Sequence, residues 1–144
     1  MVDILLGQFK EHLQAHYPDY ALALQANNLF SRYLDDCRGF VTPYVNTLIQ
    51  QGADQSTILK LGIEAMAQSL GPSKYDYLQS IVATKFGTWA DKLREAGILQ
   101  YEIMNLITLC EPIMESYGFD YLDSPHGQFE KQIVVAILEY RLSK

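Results

Sequence analysis

A chain of 144 residues, 49% hydrophobic and 19% charged, has enough apolar side chain to bury a core, which excludes a disordered tail. Its apolar runs stop well short of the roughly 18–20 residues a membrane-spanning helix needs, so no such span is predicted. The net charge of −6 is unevenly spread. From Glu95 to Glu130 there are seven acids and no Lys or Arg. That surface repels phosphate backbones, which weighs against direct nucleic-acid binding. Lys85, Lys92 and Arg94 make only a small basic group.

The first segment, "MVDILLGQFK", places Asp3 where a signal peptide needs positive charge, so it reads as the start of a helix in a cytoplasmic protein. Ile4, Leu5, Phe9 and Leu13 form its stripe, and Pro18 stops it. Phe30, Leu34, Cys37, Val41, Tyr44 and Leu48 repeat in steps of four and three across Gly39 and Pro43. Pro43 has no amide hydrogen and its ring presses on the carbonyl of Gly39, which predicts a kink or break with both halves facing one core. Gly52 and Asp54 precede a helix burying Ile58, Met66 and Leu70. Ser73 and Asp76 have the spacing of a capping box, and Leu78, Val82, Phe86, Trp89 and Leu93 mark the face beyond it, interrupted by Gly87.

Leu99, Ile103, Leu106, Cys110, Ile113 and Tyr117 form the next stripe, with Pro112 inside and Gly118 as its stop. Ser124 as cap and Pro125 as first helical residue open the last helix, whose inner side is Phe129, Ile133, Ile137 and Tyr140. No segment alternates strictly as a half-exposed strand does. The prediction is all-α: one compact single-domain bundle of about six helices over residues 1–144.

Chemistry-bearing residues are few. His12 and His16 stand four apart, the spacing by which two imidazoles on a helix share a metal. At about 100° per residue both fall at the edge of the apolar face, and Glu11 precedes the first His instead of following it. His126 is the one further histidine, whereas a structural zinc takes four ligands. The pair therefore reads as packed histidines, with a small metal-dependent hydrolase-like enzyme as the alternative, and no cofactor is predicted. Ser73, Lys74, Tyr75 and Asp76 are the densest reactive group, but the capping box accounts for them. Asp35 and Asp36 diverge by about 100° and do not converge on one substrate. Cys37 and Cys110 lie in apolar stretches as core thiols do.

Ten tyrosines are many for so small a chain, and tyrosine gives interfaces large contact area at little entropic cost. Tyr117 and Tyr121, beside the acidic segment, are the interface candidates. The functional expectation is a non-enzymatic interaction module that binds a protein partner or itself. An acidic mimic of nucleic acid is the third reading.

At "LQAHYPDYA" and "SLGPSKYDYLQSIVATKF" the chain resembles a family of short all-α bacterial proteins, a domain of unknown function carried on mobile elements of anaerobic gut and oral bacteria. The likeness covers Leu13 to Pro18, then Ser73, Lys74, Tyr75, Asp76 and Leu78, then the turn from Phe119 to Ser124. Gly71-Pro72 and "FEKQIVVAILEY" depart from the family's pattern. The resemblance implies a small helical fold in a bacterial cytoplasm and no assigned activity.

Overall fold

The structure, a computed structural model, describes residues 1–117 and 127–143. Among them the fold is all-α: α1 (Val2–His16), α2 (Pro18–Ala26), α3 (Phe30–Gln50), α4 (Gln55–Ala67), α5 (Lys74–Lys85), α6 (Gly87–Glu95), α7 (Leu99–Tyr117) and α8 (Gln128–Leu142), with a 3₁₀ turn at Gln68–Leu70. No described helix is long and apolar enough to cross a membrane. The chain divides into two compact units, Met1–Gly71 and Pro72–Lys144, each with a core of its own.

Eight helices replace the expected six or so for two local reasons. Pro18 ends α1, as its missing amide requires, but it also opens α2, because a fixed φ suits the first helical position. α2 has no clean stripe: Ala21 and Leu24 are buried while Leu22 is exposed. The second split falls at Phe86, whose backbone leaves the helical region at φ −134°, ψ 46°. Its ring turns into the core, meets Trp89 edge-on, and Gly87 starts α6.

In the first unit α1 buries Leu5, Leu6, Phe9 and Leu13. α3 supplies Cys37, Val41, Val45 and Leu48, and α4 supplies Ile58 and Met66. Of the kink or break expected near Pro43, a break is excluded, since α3 runs through the proline as one helix. Pro43 and Gly39 both lie on the exposed side, so the carbonyl deprived of its partner reaches water. Burial on either side of Pro43 enters one core, which favours a single continuous helix. Asp54 caps α4 by accepting from the Thr57 amide at 2.8 Å.

In the second unit Ser73 Oγ accepts from the Asp76 amide at 2.9 Å, the helix start the spacing predicted. α5 contributes Tyr75, Leu78, Ile81 and Val82, α7 contributes Ile103, Leu106, Ile107, Cys110 and Met114, and α8 contributes Phe129, Ile133 and Ile137. Lys85 closes α5, and Lys92 and Arg94 close α6, where a helix's negative end favours them. The expected stop at Gly118 and cap at Ser124 and Pro125 lie outside the described residues.

At Gly62, α4 approaches α1 closely. A Cβ placed on Gly62 would lie 2.6 Å from Leu5 Cδ2, and Leu5 is fully buried. Gly62→Ala should therefore lower stability by about 1–3 kcal/mol through overpacking, although alanine is the better helix former by about 1 kcal/mol. Chemical denaturation measures this, and an unchanged or raised midpoint would show that Leu5 yields freely.

Candidate functional site

The last turn of α1 gathers the side chains most capable of chemistry in the first unit. His12 and His16 have ring centroids 4.7 Å apart, and His12 also faces Phe9 at 6.2 Å and Tyr17 at 6.0 Å. Both histidines are half-buried, at the edge of the apolar face as the helical angles placed them. Tyr33 of α3 packs on Phe9 and edge-on against Tyr20 of α2, with centroids 6.4 and 5.4 Å away. Among the described residues no three of His, Cys, Asp and Glu come together as a metal would need. His126 lies outside the described residues.

Cys37 is buried beneath Tyr33. Burial pushes its thiol up in pKa, opposed by a hydrogen bond with the Tyr33 hydroxyl. Burial, foremost, and the thiol also raise Tyr33 well above the usual phenol range. Cys110 is fully buried, and burial pushes its thiol up to about 11. Both cysteines are free. At neutral pH each is a protonated core thiol, far from the thiolate that nucleophilic catalysis requires.

The reactive group at the start of α5 is used by the fold. Ser73 is the cap, Tyr75 is buried, and Lys74 Nζ lies 3.7 Å from Glu111 Oε1. Asp35 and Asp36 are exposed, while Arg38 pairs with Asp3.

Sequence reasoning missed the buried carboxylate of the second unit. Glu102, in the first turn of α7, is 6% exposed, and the Tyr140 hydroxyl of α8 donates to its Oε2 at 2.7 Å. Asn105 Nδ2 donates to the same hydroxyl at 3.4 Å. Counted as a surface acid, Glu102 nonetheless lies three residues after Leu99 and four before Leu106, on the flank of the apolar stripe. That spacing was the available signal.

The acidic segment is thinner than its composition suggests. Glu102 is internal, Glu111 neighbours Lys74, and Asp120 and Asp123 lie outside the described residues. Glu95 and Glu115 are exposed. Tyr117 is half-buried, its ring edge-on to Phe129 at 5.2 Å and its hydroxyl accepting from Gln132 Nε2 at 2.9 Å. Tyr121 lies outside the described residues. Of the nine described tyrosines only Tyr44 and Tyr101 are exposed, Tyr101 by 64%. Tyr75 is buried in the core and the rest cover its edges.

What is left over is apolar. On α8, Val135, Leu138 and Leu142 are 53%, 42% and 75% exposed. At about 100° per residue their centre lies about 180° from that of Phe129, Ile133 and Ile137, so α8 is apolar on two opposite sides. Between α7 and α8 a shallow groove of about 400 Å³ is floored by Ile113, Val135 and Ala136 and rimmed by Lys131 and Glu139.

Tyr140→Phe should cost about 1–3 kcal/mol, because it removes a donor from a buried carboxylate. A denaturation midpoint unchanged from that of the native chain would show that water serves Glu102 equally well. Compared with known proteins, the chain matches no family model, no curated protein and no solved structure.

Proposed function

We propose that this chain is a non-enzymatic protein–protein interaction module of a bacterial cytoplasm, belonging to the family its Ser73–Leu78 block resembles. It binds a protein partner, or a second copy of itself, through the second unit. The observation that carries the reading is the outward apolar stripe of α8, Val135, Leu138 and Leu142, set opposite the helix's buried side. An aliphatic row that contributes nothing to its own core is costly to leave in water and gains by being covered. Tyr101 and the acids Glu95 and Glu115 supply the exposed aromatic and acidic elements of the same unit. Further support comes from the reactive side chains. The thiols, Ser73, Tyr75 and Glu102 each have a structural task.

Leu138→Asp combined with Leu142→Asp should weaken complex formation at least about tenfold while leaving the melting temperature nearly unchanged. Size-exclusion chromatography with light scattering, alone and with a captured partner, reads the result. Complexes formed undiminished by the double variant would remove this surface from the proposal.

The 4.7 Å spacing of His12 and His16 sustains the metal-dependent alternative. Under the interaction reading, purified protein contains less than about 0.1 zinc or manganese per chain and melts alike with and without chelator, since structural sites take four ligands. Stoichiometric metal by elemental analysis would transfer the function to that pair.

A further inference from the structure

The outward side of α8 carries charge as well as aliphatic side chains, and the order of the charges is informative. Lys131, Val135 and Glu139 stand four apart and are all exposed, so they form one ridge along the helix. At about 100° per residue, Leu138 and Leu142 lie within about 60° of Val135 on the same side. Lys131 and Glu139 are the only charged residues of α8 that do so. They are too far apart to pair within one helix, since eight positions span about 12 Å. None of the described ion pairs uses either.

The ridge runs from positive through apolar to negative, with Val135 at its centre. Helices most often pack with ridges of this i, i+4 kind laid side by side. When the second ridge is a copy of the first running the opposite way, a two-fold axis passes at Val135. Val135 then meets its own counterpart, and Lys131 of each copy meets Glu139 of the other. Both charges find partners, and the interface closes on two chains. Running the same way, the two ridges would set Lys131 against Lys131 and Glu139 against Glu139, which is unfavourable. The charge order thus selects one occupant and one orientation, and the aliphatic stripe supplies the attraction. Exposed pairs of this kind add little energy by themselves, so they choose the partner more than they hold it.

We infer that a second copy of this chain covers the α8 surface, in an antiparallel two-fold pairing centred on Val135, with Lys131 and Glu139 paired between the copies. The inference rests on the reading of that stripe as an interaction surface and names its partner. One helix laid on one helix is a small contact by the standard of stable dimers, so the pairing is reversible and concentration-dependent. In the dilute monomer Val135, Leu138 and Leu142 face water.

Sedimentation equilibrium of the full-length chain over a rising concentration series tests this. The parent should dimerise. Lys131→Glu or Glu139→Lys alone should each weaken the dimer at least about fivefold, because each turns two attractive pairs into two repulsive ones. Lys131→Glu combined with Glu139→Lys restores both pairs and should dimerise within about twofold of the parent. Mixing the two single variants should give a heterodimer in preference to either homodimer. Leu138→Asp with Leu142→Asp should abolish dimers altogether. A parent that stays monomeric at the highest concentration reached would overturn the self-pairing while leaving the surface to a different protein. So would a dimer that the leucine variant abolishes but that the charge variants leave alone or fail to restore. A dimer indifferent to both sets of changes would overturn this pairing and the α8 surface together.

Discussion

The hydrogen bond from Tyr140 to Glu102 sets how α8 sits on α7. A carboxylate placed in a core is tolerable only when its oxygens are satisfied, so the partner hydroxyl cannot be elsewhere on its helix. Tyr140 fixes one end of α8, and Phe129, with Tyr117 edge-on to it and Gln132 beside it, fixes the other. Between these points the rotation of α8 is determined. Ile133 and Ile137 go inward, and Val135, Leu138 and Leu142 are left outside. The exposed stripe is thus what remains when Phe129, Ile133 and Ile137 are buried and Tyr140 meets Glu102. The functional proposal depends on that orientation.

The same logic explains why so little catalytic machinery emerges. Each unit has only about 70 residues with which to enclose a core, so few side chains are spare. Cys37 and Cys110 fill apolar space, Tyr33 covers a thiol, and Ser73 satisfies a helix end. The first unit is packed tightly enough that α4 carries a glycine against Leu5. At the corner formed by His12, His16 and Tyr17 the rings pack on one another, and the Tyr17 hydroxyl donates to the Gly71 carbonyl at the end of the first unit.

Much of this was legible in the residues. Helical spacing located most of the inner faces of α1, α3, α7 and α8, because burial on one side imposes the period of the helix; Ile4 and Tyr44, at the margins of their stripes, are exposed instead. The Ser73 cap was legible because capping is local, settled within four residues. Whether Pro43 would break α3 was not legible, because the penalty for an internal proline depends on which side of the helix it occupies, and exposure is a tertiary property. α2 escaped notice since its nine residues carry no distinct stripe. Glu102 looked like a surface acid because its partner lies 38 positions away. The tyrosine count overstated the exposed aromatic surface: a ring on a core edge and a ring in solvent read alike in a sequence.

The orientation of α8 is the claim from which the rest follows, and methyl relaxation by a soluble paramagnetic agent measures it directly. With Ile, Leu and Val methyls labelled, the account predicts strong relaxation at Val135, Leu138 and Leu142 and protection at Ile133 and Ile137. Relaxation of all five to the same degree, or strongest at Ile133 and Ile137, would contradict it. The interaction surface would then have to be sought on another helix.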